Sequence, residues 1–146
     1  MIEINESISI SQTPQKIWAF WLLITEDIYW RDGIVKAEWT SPPPYGVGST
    51  GVHHHKDVGA MSWEVTRFEA GKSFEFIHRA GRLRGSTACF EVAPEGPGSR
   101  VAVHAKISGP LLMRFMMLFM GAVMKKGMQD DLQKLKELME KQDSKV

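Results

Sequence analysis

Over the first ten positions apolar and polar residues alternate, with Ile2, Ile4, Ile8 and Ile10 on even numbers between polar neighbours. That period of two predicts a half-buried strand, because successive strand side chains point to opposite faces. Thr13-Pro14 predicts a helix start, a capping hydroxyl followed by proline at the first helical position. Ile17, Phe20, Trp21 and Ile24 follow at i, i+3, i+4, i+7 spacing, one face of a short amphipathic helix. A second helical turn or tight loop over Glu26 to Asp32 ends at Gly33.

Strand patterns then follow one another. Val35, Ala37 and Trp39 alternate with Lys36 and Glu38, and Ser41-Pro42-Pro43-Pro44-Tyr45-Gly46 breaks the ladder as a loop. Further strands are expected over Ser49 to Asp57, Met61 to Phe68, Ser73 to His78, Gly85 to Val92 and Arg100 to Ile107. The breaks between them (Val58-Gly59-Ala60, Glu69 to Lys72, Ala80-Gly81, Pro94 to Gly98) are short, which predicts antiparallel hairpins. From Pro110 to about Lys141 the period becomes helical, with Met128, Leu132, Leu135 and Met139 on one face. Gly121 and Gly127 are points where so long a helix could bend. The order is strand, short helices, six strands and a long helix: an α+β domain over residues 1–141, with Gln142 to Val146 expected to fray.

A one-sided sheet turns its larger apolar residues inward. Alternation places Met61, Trp63 and Val65 on one face, with Phe74, Phe76 and His78 on the matching face of the next strand. Ala88, Phe90 and Val92 alternate likewise, as do Val101, Val103, Ala105 and Ile107. The segment Leu111 to Met124 is apolar almost all round and rich in methionine, so it needs two burial partners or a docking surface.

Composition changes this picture little. A chain of 146 residues with 43% apolar and 24% charged residues has room for one ordinary core. Its net charge of +1 gives no general attraction for a nucleic-acid backbone. The single cysteine, Cys89, rules out an internal disulfide and is expected to point away from the inner face. The amino terminus carries no secretory pattern, and the apolar run is interrupted by Arg114 and falls short of the roughly 20 residues that span a bilayer. A cytoplasmic protein without an integral membrane span is expected, and a homodimer stays open.

The element order and its punctuation resemble the START-like or Bet v 1-like (SRPBCC) superfamily, and within it the polyketide cyclase/dehydrase and lipid-transport branch. The residues that carry the resemblance are Thr13 to Trp18, Tyr29-Trp30, Gly46-Val47-Gly48-Ser49, Trp63 to Glu69, Gly98 to Val101 and Leu132 to Leu138. It covers nearly the whole chain and implies a helix-grip fold, a seven-stranded curved antiparallel sheet around the long C-terminal helix with a cavity for an apolar ligand. The residues expected to line that cavity are Trp39, Trp63, Val65, Phe74, Phe76, His78, Phe90 and Val103 from the sheet, with Phe115, Phe119 and Met120 from the helix. The leading functional expectation is binding of a lipid, isoprenoid or polyketide-like aromatic, without a cofactor. The alternatives are a cyclase, dehydratase or aromatase, and a module that docks a protein or membrane through Leu111 to Met124.

The tempting chemistry is histidine. His53-His54-His55 would place His53 and His55 on one strand face, the geometry of a metal pair, with His78, Glu64 or His104 as third ligand. Val52 sets the phase so that His54 faces inward and His53 and His55 outward, and no metal site is assigned. His78 continues the Phe74, Phe76 face; it and His54 are the candidates for proton transfer. Arg79, Arg82 and Arg84 form a basic turn beside it.

Overall fold

A computed structural model describes residues 2–108 and the helix 111–141, with side chains in that helix described from Gly121 onward. The expected roles of Phe115, Phe119 and Met120, and the burial of Leu111 to Met120, therefore lie outside the described residues.

Seven strands form one antiparallel sheet in the order β1-β7-β6-β5-β4-β3-β2, curled around a long helix. They are β1 (Ile2–Ile10), β2 (Ile34–Trp39), β3 (Thr50–His55), β4 (Gly59–Glu69), β5 (Ser73–His78), β6 (Thr87–Glu95) and β7 (Gly98–Ile107). Helix α1 (Pro14–Leu22) and a 3-10 segment (Ile24–Tyr29) carry the chain from β1 at one edge of the sheet to β2 at the other. Helix α2 (Leu111–Lys141) runs through both Gly121 and Gly127. Among the described residues no helix is long and apolar enough to cross a membrane.

At the start of α1 local chemistry acts as the sequence predicts, while the helix ends at Leu22 and leaves Ile24 to the 3-10 segment. The Thr13 hydroxyl accepts a hydrogen bond from the Lys16 N–H at 3.4 Å, and Pro14 opens α1. The β6–β7 turn is tighter than expected, because both strands extend until Glu95 pairs with Gly98. Pro94 belongs to β6 and not to the turn.

Two bulges set which side chains face inward. In β4 the register shifts between Val65 and Arg67, so Phe68 packs on the core while the Arg67 side chain stays 63% exposed. In β2 it shifts between Ile34 and Lys36, so Ile34 and Ala37 are buried and Val35 faces solvent. The simple Val35, Ala37, Trp39 alternation thus fails at Val35, since a bulge inserts one residue and reverses the phase before it.

The C-terminal half of α2 lies on the inner face. Leu132, Leu135 and Met139 are buried in the main core, while Asp130, Lys134 and Glu137 stay exposed. Hydrogen bonds fix this end to the β1–α1 corner: Gln12 Nε2 donates to the Met139 carbonyl at 3.2 Å, Ser11 N–H to Glu140 at 3.0 Å, and Lys136 to the Ser9 carbonyl at 2.8 Å. Nearer the middle of α2, the Asp32 N–H donates to Asp131 at 3.0 Å and ties the helix to the loop after the 3-10 segment.

Candidate functional site

Between that loop and the sheet lies a buried polar cluster in an aromatic shell. A 3-10 helix has three residues per turn, so residues three apart eclipse one another. Ile24 and Asp27 of the 3-10 segment, and Trp30 just after it, therefore share one face, and all three are buried. On β3, the inner face carries Gly51, His53 and His55. The expected phase is reversed: His53 is 3% exposed and faces inward, and His54 lies on the other face with Val52. Valine suits either face of a strand, and the inner-face residue that should have set the phase is Gly51, which has no side chain to show in a hydrophobic pattern.

The cluster is bonded in series. His53 Nε2 lies 2.7 Å from Asp27 Oδ2, and the Trp63 indole N–H donates to His53 Nδ1 at 2.6 Å. Indole nitrogen can only donate, so Nδ1 must be the unprotonated nitrogen and Nε2–H donates to the Asp27 carboxylate. This assigns the tautomer from the network. It also means that Arg31 Nη1, 3.4 Å from the same Nε2, faces another donor; its attraction is to Asp27 Oδ2, 3.8 Å away. Burial lowers the His53 pKa, and the Asp27 hydrogen bond only partly offsets that. A second proton would have to sit on Nδ1, against the Trp63 N–H.

The shell is built from β5, β6 and the short helices. Phe74 and Phe90 stack with centroids 5.2 Å apart, and Phe76 stacks beside Phe90 at 6.0 Å. Trp21 and Trp30 meet Phe90 edge-on at 5.6 and 6.2 Å. Arg31 lies over the Trp30 and Phe90 rings, 5.9 Å from each centroid. Two small voids adjoin at Trp30, Arg31 and Phe90. The inner one, about 10 Å³, is bordered also by Trp21, Asp27, His53, Trp63, Phe74 and Phe76. The outer one, about 40 Å³, lies toward α2 between Val103, Met128, Asp131 and Leu132.

The other candidate residues fall around this centre. Trp63, Val65, Phe74, Phe76, Phe90 and Val103 are buried on the inner face. Trp39 is half-buried, donates to the Leu22 carbonyl at 2.9 Å and stacks on Tyr45 at 3.9 Å. His78 pairs across the strands with Trp63 and lies edge-on to Phe76, its Nδ1 3.4 Å from the Ser86 carbonyl. Among the described residues nothing hydrogen-bonds its Nε2. His55 closes the β3–β4 turn, accepting from the N–H groups of Asp57 and Val58. Glu64 meets Arg79 at 3.6 Å, and His104 meets Asn5 and Glu91 on the exposed outer face, so neither shares a site with His53. Cys89 is buried among outer-face residues beside Arg67, and burial raises its thiol pKa. Asp27 and Arg31 escape the sequence reading because residues 26–32 read there as a turn or tight loop; the three-residue spacing of Ile24, Asp27 and Trp30 is the signal that finds them.

Burial also holds His78 neutral, lowering its pKa to about 4. Both histidines titrate near 6.5 when unfolded, so the unfolded chain binds more protons than the native one below that pH. Stability is then complete above about pH 6.5 and declines as the pH falls toward 4. Between pH 7 and pH 5 the part due to His78, discounted for its partial exposure, is about 1–2 kcal/mol. Asp131, whose carboxyl pKa burial raises, acts in the opposite sense in more acidic solution. Urea midpoints across pH 5–7 should fall with acid in the native chain and less steeply in His78→Gln; parallel slopes would refute the assignment.

Comparison with known proteins places this geometry in context. A family model described as polyketide cyclase / dehydrase and lipid transport matches residues 1–140. No curated protein matches the sequence. Among solved structures, TTHA0849 from Thermus thermophilus is 14% identical with a TM-score of 0.75, over 93% of this chain and 95% of that one. The Aha1 dimer from Colwellia psychrerythraea is 20% identical with a TM-score of 0.62, over 95% and 96%. StfQ, the di-domain ARO/CYC of the steffimycin biosynthetic pathway, is 9% identical with a TM-score of 0.76; the match covers 98% of this chain and 52% of that one.

Proposed function

The chain belongs to the polyketide cyclase/dehydrase and lipid transport family, and from that premise we propose that it binds an apolar small molecule between the sheet and α2, beside the Asp27–His53–Trp63 cluster. The observation that carries the reading is the pair of adjoining voids at Trp30, Arg31 and Phe90, mostly apolar in their walls and ending on a buried polar network. Pockets of this composition, mostly apolar with a few placed polar groups, are how proteins hold small ligands. The outer void is small. A ligand larger than a few atoms enters by displacing the Met128 side chain, which has three rotatable bonds, and Arg31, whose side chain is 25% exposed. A lipid, isoprenoid or polyketide-like aromatic fits this chemistry.

A second reading, acid–base catalysis on the bound molecule, draws support from His78, an inward neutral imidazole whose Nε2 has no partner among the described residues. His53 would then be a positioning residue, because both its nitrogens are engaged.

One experiment separates the readings. Untagged protein is examined by native mass spectrometry, then denatured, and any released molecule is identified and offered back to stripped protein. A stoichiometric apolar molecule that rebinds and returns with its mass unchanged supports binding; one returned lighter by water supports a dehydratase. Stripped protein that takes up neither this molecule nor an apolar fluorescent probe would sink both.

A further inference from the structure

Among the described residues, the indole nitrogens of Trp21 and Trp30 are buried donors without a hydrogen-bond partner, and both rings border the inner void. Trp21 is 2% exposed and Trp30 4%. Two other indoles of the core do find acceptors: Trp39 donates to the Leu22 carbonyl and Trp63 to His53. Both rings meet Phe90 edge-on, and an aromatic face is a weak acceptor that does not replace a hydrogen bond. Buried polar groups left unpaired in a native structure call for an explanation.

Donors are in excess around this void. Arg31 borders it with five guanidinium N–H groups, and its ion pair with Asp27, at 3.8 Å, is beyond hydrogen-bond distance. Among the described residues that border the void the Asp27 carboxylate is the acceptor, and its Oδ2 already receives the His53 N–H. We infer that the inner void is an acceptor subsite that takes the oxygen of a neutral carbonyl group on the apolar ligand, with the Trp21 and Trp30 indoles as its donors. At about 10 Å³ it has room for an oxygen-sized group and none for a ring. The carbons attached to that oxygen lie in the outer void, past Trp30 and Phe90. A neutral oxygen is favoured over a ligand carboxylate because the Asp27 carboxylate borders the same space and already draws on the Arg31 charge. This inference rests on the reading of the domain as an apolar-ligand binder and specifies the ligand's polar group.

Acetophenone and ethylbenzene share a shape and differ in the carbonyl oxygen, and benzoate replaces that carbonyl group with a carboxylate. Each is titrated into the full chain labelled at the indole nitrogens, with the signals of Trp21 and Trp30 identified from Trp21→Phe and Trp30→Phe. Acetophenone is expected to bind at least about tenfold more tightly than ethylbenzene, because the hydrocarbon leaves the donors unpaired. The Trp21 and Trp30 N–H signals should move downfield with the ketone alone, and in Trp30→Phe the preference should fall to about threefold or less. If that variant does not fold, the indole shifts of the unmodified protein decide. Equal affinity for the two probes, or ketone binding that leaves both indole signals unmoved, overturns the subsite while apolar binding stands. Tighter binding of benzoate overturns the neutral carbonyl, and failure of both acetophenone and ethylbenzene to bind overturns the ligand site itself.

Discussion

Replacing Asp27 with alanine is expected to lower the unfolding free energy by about 3 kcal/mol, a drop in melting temperature of roughly 6–12 °C for a domain of this size. The Asp27 carboxylate is nearly fully buried, with His53 and Arg31 as its partners. Its loss strands the His53 Nε2–H, for which Asp27 is the acceptor among the described residues, while Trp63 holds the ring by its other nitrogen. It also leaves the Arg31 guanidinium facing a neutral wall. Part of that charge can turn toward solvent, since Arg31 is 25% exposed, which keeps the effect below that of a fully buried ion pair. Urea denaturation gives the free energy, and ring-nitrogen NMR reports whether His53 keeps its Nε2–H tautomer, as it should while Trp63 donates to Nδ1. A variant that unfolds at the same urea concentration as the parent would show that the cluster is not a stabilising network. Asp27→Asn should lose less, because the amide oxygen can still accept from His53 while its NH2 group opposes Arg31.

Gly51→Val should destabilise by a similar amount, about 3 kcal/mol, through steric conflict and not through lost bonding. Gly51 pairs across the strands with Trp63, and a Cβ there would overlap the six-membered ring of that indole. Trp63 cannot easily yield. It is 2% exposed, packs edge-on to Trp39 at 5.2 Å, lies 5.4 Å from Phe76, and is held by its bond to His53. Pushing it aside therefore breaks the polar cluster as well as the packing. Gly46→Ala is the control: no described residue comes within 4 Å of its Cβ position, and its stability should stay within about 0.5 kcal/mol of the parent. If Gly51→Val melts with that control, the close approach of Trp63 to β3 is not what the backbone at Gly51 accommodates.

Much of the fold was legible because it depends on repeating local patterns. The Thr13-Pro14 start of α1, the inner faces of β4 through β7 and the buried stripe Leu132, Leu135, Met139 all follow from spacing and side-chain chemistry, and all occur where that chemistry puts them. The places where pattern failed share one physical character. Val35 turned outward because a bulge added a residue to β2, and a bulge answers to the twist and pairing of the whole sheet. Pro94 stayed in β6 because the turn it was expected to open needs only the residues between Glu95 and Gly98.

The candidate site shows the division most clearly. Sequence alone determined that an aromatic inner face exists and that His78 continues it; that one long helix covers it was what the family resemblance implied. Only the tertiary structure decided that His53, and not His54, is the buried histidine, since an inward Gly51 leaves no trace in a hydrophobic pattern and declares itself only when Trp63 is seen lying over it. Tertiary structure alone also joined Asp27 to His53, 26 positions further along the chain, and through it to Trp63. Periodicity reports which face of its own element a side chain occupies. Which faces meet, and which donor is left without an acceptor, is settled by long-range packing that no local spacing encodes.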